Sequence, residues 1–64
     1  MKLKRVIIYP KDIQRITGKS ERYGRYLIRK IKEELNKEDH QMVTIYEFAE
    51  YSGIDTELIM RYLD

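Results

Sequence analysis

The chain of 64 residues has no cysteine, no tryptophan, one histidine, one proline and three glycines. Without cysteine it can form no disulfide, and a zinc finger is not expected. The lack of cysteine fits a reducing compartment, so we expect a cytoplasmic protein. The longest apolar run, residues 6–9, ends at Pro10. It is far shorter than the roughly 18 residues of a membrane-spanning helix and too short for a signal-peptide core, so no membrane partner is expected.

Residue arrangements that support catalysis are also missing. There is no glycine-rich phosphate loop, and the carboxylates do not stand in a pattern with a base, a nucleophile or metal ligands. His40 stands alone in a polar stretch and is expected on the surface. We therefore expect a protein that is not an enzyme, with no catalytic residue, no metal site and no cofactor.

The length bounds the architecture to one small domain over residues 1–64. A chain of this size buries only roughly 60% of the surface that its unfolded state exposes. Without disulfides or a metal, its stability must come from tight helix packing or from association with another subunit.

The charges are separated along the chain. Residues 1–37 contain twelve Lys and Arg against four Asp and Glu, a formal charge of +8. Residues 38–64 contain one Arg against seven acidic residues, a formal charge of −6. A basic half of this density attracts polyanions, of which nucleic acid is the commonest. The alternative is a solvated charged surface whose sign carries no function.

The apolar spacing predicts an all-α domain with helices at about 11–17, 20–36, 45–52 and 56–63. Residues 1–9 are predicted to be an extended N-terminal segment, residues 10–36 a basic helix-turn-helix unit and residues 44–64 an acidic one. Pro10 suits a first helical turn, and Gly18 and Gly53 are predicted to end helices in the left-handed conformation. A short β pairing of residues 6–8 with residues 42–43 would give a minimal wing-like edge.

Helix caps and core positions follow from the same pattern. Ser20 and Asp55 are predicted N-caps, and Thr44 is predicted to form a capping box with Glu47. The predicted centre of the core is Ile13, Ile16, Leu27, Ile31, Phe48, Ile54, Leu58 and Ile59. Most tyrosines are expected to pack rather than to stack on bases; those are Tyr23, Tyr46, Tyr51 and Tyr62.

Two short helices joined by a turn of about three residues containing glycine are typical of a helix-turn-helix, and the chain shows this pattern twice. Aligning Gly18 with Gly53 places Ser20 on Asp55 and Gly24 on Ile59. The repetition is either an internal duplication or two solutions to the same packing problem.

The first unit resembles the helix-turn-helix of bacterial DNA-binding proteins over residues 12–27, DIQRITGKSERYGRYL. The positions that match the family directly are Ile13, Gly18, Ser20 and Leu27. Gln14 departs from the usual alanine, and Lys19 departs from the usual apolar residue after the glycine.

The second unit, residues 44–55, has Ala49 and Ile54 at those two positions, and it resembles the opening of excisionase and MerR-type domains. As a whole the chain is similar to small bacterial helix-turn-helix proteins of uncharacterised function. The resemblance implies DNA binding and no particular activity.

If the second helix is a recognition helix, its first turns enter the major groove. The expected nucleic-acid-binding residues are Lys11, Arg15, Lys19, Arg22, Arg25, Tyr26, Arg29 and Lys32. Arginine can donate two hydrogen bonds to guanine or clamp phosphates, and tyrosine can donate to a phosphate oxygen. The acidic unit is expected to face away from the phosphates.

We therefore expect a sequence-specific binder of duplex DNA, a transcriptional regulator or a recombination accessory factor, with RNA as an open alternative target. One recognition helix buries little surface, so a homodimer or a larger complex is expected. The alternative is a protein–protein adaptor, in which the oppositely charged halves contact a partner or a neighbouring copy.

Overall fold

A computed structural model describes residues 6–63. Residues 1–5 and 64 lie outside it, and with them the first part of the predicted extended segment and the charges of Lys2, Lys4, Arg5 and Asp64. Within residues 6–63 the chain forms four helices: α1 (Pro10–Thr17), α2 (Glu21–Glu34), α3 (Ile45–Ser52) and α4 (Thr56–Met60). The prediction of an all-α fold is confirmed.

Two helices end two to three residues before the approximate predicted positions. The predicted second helix ran to residue 36, but α2 ends at Glu34 and Asn36 has a left-handed φ of 57°. The predicted fourth helix ran to residue 63, but α4 ends at Met60. After it, the backbone N–H groups of Arg61 and Tyr62 bond carbonyls three residues back, at 3.2 and 2.9 Å, so the chain tightens into turns.

The predicted β pairing of the N-terminal segment is present as one antiparallel bridge between Ile7 and Thr44. The Ile8 N–H donates to the Val43 carbonyl at 3.0 Å, and the Ile45 N–H donates to the Val6 carbonyl at 2.7 Å. This bridge joins the segment before α1 to the segment before α3, and so holds the two units together.

The buried core is Ile8, Ile13, Ile31, Val43, Ile45, Phe48, Ile59 and Leu63. Of the predicted core, Ile16, Leu27 and Ile54 are partly buried and pack against it. The prediction for Leu58 is wrong, because this side chain is 43% exposed. With α4 only five residues long, Ile59 faces the core from the helix and Leu63 is buried from the turns that follow.

The backbones of α1 and α2 lie close together at Gly24. A Cβ atom at this position would lie 2.5 Å from the Pro10 carbonyl oxygen and 2.9 Å from the Pro10 Cα. Only glycine lets the two backbones approach this closely, so Gly24 fixes how α2 sits on α1.

The two units share their local geometry. Each begins with an eight-residue helix, and each of these helices ends at a left-handed glycine, Gly18 at φ 77° and Gly53 at φ 76°. Ile8 and Val43, which stand at equivalent positions just before the two units, are both 2% exposed and are joined by the bridge hydrogen bond. The sequence repetition therefore corresponds to a shared geometry up to the glycine of each unit, whereas the following helices differ in length, 14 residues in α2 and 5 in α4.

Candidate nucleic-acid interface

The turn between α1 and α2 consists of three residues and is fixed by local hydrogen bonds. Gly18 supplies the left-handed conformation that ends α1. The Lys19 N–H donates to Thr17 Oγ1 at 3.1 Å, and the Tyr23 N–H donates to Ser20 Oγ at 3.1 Å. The predicted N-cap at Ser20 is thereby confirmed, and the direction in which α2 leaves the turn is set.

One face of α2 is basic and exposed. Gly24 and Ile31 are buried on the inner face. The outer face carries Arg22, Arg25, Tyr26 and Arg29, all exposed. At 1.5 Å per residue, this set extends over about 10 Å of helix axis, which is about two turns. We call these four residues the α2 basic face.

Arg25 has a partner in this face. Its guanidinium lies 3.4 Å from the Glu21 carboxylate, one helical turn earlier, and the two side chains are 57% and 41% exposed. Exposed pairs of this kind contribute only about 0–1 kcal/mol. The pair can therefore open for a phosphate or a guanine at little cost.

The turn adds a further cation beside the face. The Lys19 ammonium lies 5.4 Å from the centre of the Tyr23 ring, and the Tyr23 and Tyr26 rings are 6.3 Å apart. Lys11 and Arg15, on α1, are exposed. The first unit therefore presents cations from α1, from the turn and from α2.

Lys32 differs from the other candidate residues. It is half-buried, and its ammonium donates to the Asp39 carbonyl at 2.8 Å. This bond ties the loop after α2 back onto the helix, so Lys32 has a structural role in the fold.

The acidic unit starts with the predicted capping box, which is confirmed. The Thr44 N–H donates to Glu47 Oε1 at 2.9 Å, and the Glu47 N–H donates to Thr44 Oγ1 at 3.0 Å. Lys37 Nζ lies 3.0 Å from Glu47 Oε2. Burial alone would raise the pKa of Glu47, but the bonds from Thr44 and the Lys37 ammonium outweigh it, and the pKa lies below its ordinary value. Glu47 is thus a structural carboxylate.

The start of α4 differs from this. Asp55 occupies the N-cap position, as predicted, but its side chain makes no capping hydrogen bond. The Asp55 side chain is exposed, so its carboxylate is available to other groups.

Three of the tyrosines that were expected in the core or at its rim lie outside the core. Tyr46 is 53% exposed, Tyr51 43% and Tyr62 46%, whereas Tyr23 is half-buried against the core. The hydrophobic pattern could not distinguish buried from exposed tyrosines, because tyrosine is compatible with both a core position and a solvent-exposed one.

Among residues 6–63 there is no group of three or more His, Cys, Asp or Glu side chains placed to hold a metal ion. In the same part of the chain, no helix combines the length and the apolar character needed to cross a bilayer.

Comparisons of the chain with protein-family models, with curated proteins and with solved structures found no match. The geometry and charge of the residues described above are therefore what supports a function.

Proposed function

We propose that the protein binds duplex DNA through the first helix-turn-helix unit, with the α2 basic face in the major groove. The observation that carries this proposal is the exposure of Arg22, Arg25, Tyr26 and Arg29 on one side of a helix that follows a three-residue turn. A major groove about 12 Å wide admits a single α-helix, and the first turns of a recognition helix contact the base edges.

The roles divide by position. Arg25 and Arg29 are the candidates for base contacts, because a guanidinium can donate two parallel hydrogen bonds to guanine. Lys11, Arg15 and Lys19, on α1 and the turn, are the candidates for phosphate contacts that fix the protein on the duplex. A regulator of transcription or an accessory factor of recombination would use such a unit.

The test is a titration of a fluorescently labelled duplex with the protein, in which fluorescence anisotropy reports binding. Arg25→Ala and Arg29→Ala should each weaken binding by about 1–3 kcal/mol if the side chain contacts a base. Arg61→Ala is the matched control: it removes the same charge from an exposed residue of the acidic unit and should change affinity little. If all three variants keep native helicity and bind the duplex as tightly as the wild type, α2 is not the recognition helix.

The same titration distinguishes duplex DNA from duplex RNA. The major groove of A-form RNA is deep and narrow, so an α-helix cannot read it. Binding through the α2 basic face should therefore favour DNA over RNA of the same sequence. A preference for duplex RNA that survives Arg25→Ala would contradict the proposed geometry.

A second candidate function is contact with another protein through the acidic unit. The observation that favours it is the exposure of large apolar side chains in this unit, Tyr46, Tyr51, Leu58 and Tyr62, at 43–53%. Exposed apolar surface rimmed by polar residues marks interaction sites. Alanine at Tyr46 and Tyr51 should then abolish partner binding and leave the free energy of unfolding nearly unchanged.

A further inference from the structure

An open groove lies over the turn between α3 and α4. Its volume is about 490 Å³, and it is lined by Tyr46, Ala49, Glu50, Gly53, Ile54, Asp55 and Thr56. Ala49 and Ile54 contribute apolar surface, Tyr46 an aromatic ring, and Glu50 and Asp55 carboxylates. We call this feature the α3–α4 groove.

Large apolar side chains of the acidic unit are only partly covered by the chain itself. Tyr46, which lines the groove, and Tyr51, Leu58 and Tyr62 elsewhere in the unit are each 43–53% exposed. The unit therefore keeps apolar surface that a partner would cover.

Two of the exposed carboxylates of this unit, Glu50 and Asp55, line the groove, and Glu57 is the residue after the last lining position, Thr56. Glu50, Asp55 and Glu57 are exposed, and none of the three side chains forms an ion pair or hydrogen bond within residues 6–63. Glu47 behaves differently, because its carboxylate is held by Thr44 and Lys37. The occupant of the groove should therefore carry positive charge together with flat or apolar surface, and arginine side chains meet both conditions.

We propose that the α3–α4 groove docks the α2 basic face of a second copy of this chain. That face offers Arg22, Arg25 and Arg29 on one side of a helix, and these guanidinium groups can stack on tyrosine rings and pair with carboxylates. The complementary charge lies in the same sequence, +8 over residues 1–37 and −6 over residues 38–64.

The charges exclude one symmetry of the contact. A two-fold dimer in which the groove meets its own copy would bring Glu50, Asp55 and Glu57 against each other, and the like charges would repel. The proposed contact between the groove and α2 is head-to-tail, and one groove and one basic face stay free at the ends of each open assembly. A standard interface of about 800 Å² per partner would cover roughly a sixth of the 4694 Å² surface. A contact between exposed charged groups should be weakened by salt.

One consequence rests on the proposed function. If the α2 basic face also binds duplex DNA, a second copy and DNA compete for the same arginines. The acidic unit of one molecule then masks the DNA-binding helix of the next, and the fraction of exposed α2 falls as protein concentration rises.

Sedimentation velocity of the whole chain at low and at high salt tests the contact. The test variant is Glu50→Gln, Asp55→Asn and Glu57→Gln together. The matched control is Glu34→Gln, Glu38→Gln and Asp39→Asn, which makes the same chemical changes at exposed positions away from the groove. Wild type and control should associate at low salt and dissociate at high salt, while the test variant stays monomeric with native helicity. A monomeric wild type at low salt, or unchanged association of the test variant, would overturn the proposal.

A mixing experiment tests whether the α3–α4 groove and the α2 basic face are the two surfaces that pair. Arg25→Glu with Arg29→Glu should be monomeric, and so should Glu50→Lys with Glu57→Lys, since each carries two acidic or two basic faces. Mixed together, the two variants should form a complex. Absence of a complex, with both variants folded, would contradict the proposed pairing.

Adding duplex DNA separates this inference from the proposed function. Oligomers that form at low salt in a protein with no DNA affinity would refute DNA binding and leave the head-to-tail contact standing. Because the end of each open assembly keeps one free basic face, one duplex per oligomer is expected to bind. Oligomers that bind one duplex per chain without dissociating would show that the two contacts do not share α2, and would overturn the competition.

Discussion

At the scale of single residues, Gly24 controls the packing on which the candidate interface depends. A Cβ atom would meet the Pro10 backbone at 2.5 Å, and a backbone cannot move aside as a side chain can. We predict that Gly24→Ala destabilises the protein by about 2 kcal/mol, since the clash exceeds the gain of about 1 kcal/mol in helix propensity. Urea denaturation measures the difference.

The control for this substitution is Glu34→Ala, at an exposed position of the same helix. It should change the midpoint of unfolding little. A Gly24→Ala variant as stable as the wild type would mean that α1 and α2 do not approach as closely as described here.

Glu47 gives the stability a defined dependence on pH. Its pKa in the folded protein lies below the ordinary value of 4.5, so its contribution is fully present above that value and is lost as the pH falls through the lower folded pKa. We predict that the free energy of unfolding of Glu47→Gln falls less steeply below about pH 4.5 than that of the wild type. If the free energy of unfolding falls equally steeply with pH in both proteins, the Glu47 carboxylate is not held by Thr44 and Lys37 as the structure shows.

At the scale of helices, the starts of α3 and α4 make a comparison within one chain. Thr44 uses its side chain as an N-cap and Asp55 does not. We predict that Thr44→Ala costs about 1 kcal/mol and that Asp55→Ala costs only a few tenths. Thr44→Ser should keep most of the wild-type stability, because serine keeps the capping hydroxyl. Equal costs at Thr44 and Asp55 in urea denaturation would contradict the capping assignment.

The features that the sequence predicted correctly depend on neighbours within one helical turn. Gly18 and Gly53 end helices by their own backbone freedom, and the capping box joins Thr44 to a residue three positions away. The features that it missed depend on contacts distant in sequence. Ile8 and Val43 enter the core through the β bridge, and nothing local shows that Leu58 is exposed while Leu63 is buried.

For the candidate site, the helical pattern was enough to place Arg22, Arg25, Tyr26 and Arg29 on one outer face, and all four are exposed in the structure. It could not show that Lys32 bonds the Asp39 carbonyl, because a loop conformation decides that contact. It also could not show which tyrosines are exposed, because the residues that pack against each ring are distant in sequence.

At the scale of the whole molecule, the separated charges predict how the acidic unit acts on DNA binding. Neutralising Glu50, Asp55 and Glu57 should modestly strengthen duplex binding at low salt, because three negative charges are removed. The gain should fade near physiological ionic strength, where the screening length is about 8 Å. Glu47 is left intact, since its carboxylate is structural.

The triple variant at Glu34, Glu38 and Asp39 supplies the comparison in the same titration. It makes the same charge change, so an effect of long-range charge alone should be similar in both. A large loss of DNA affinity in the folded Glu50, Asp55 and Glu57 variant would place the acidic unit at the nucleic-acid interface and contradict the assignment of α2.

The salt dependence of duplex affinity shows whether the first unit is a DNA-binding surface. Each phosphate contact releases counterions, so the logarithm of the binding constant falls against the logarithm of salt with a slope of about −0.9 per contact. With phosphate contacts from Lys11, Arg15 and Lys19, we predict a slope of about −3 or steeper, which becomes shallower by about 1 in Lys19→Ala and is unchanged in Arg61→Ala. Affinity that is independent of salt, or a slope that changes equally in both variants, would contradict the account.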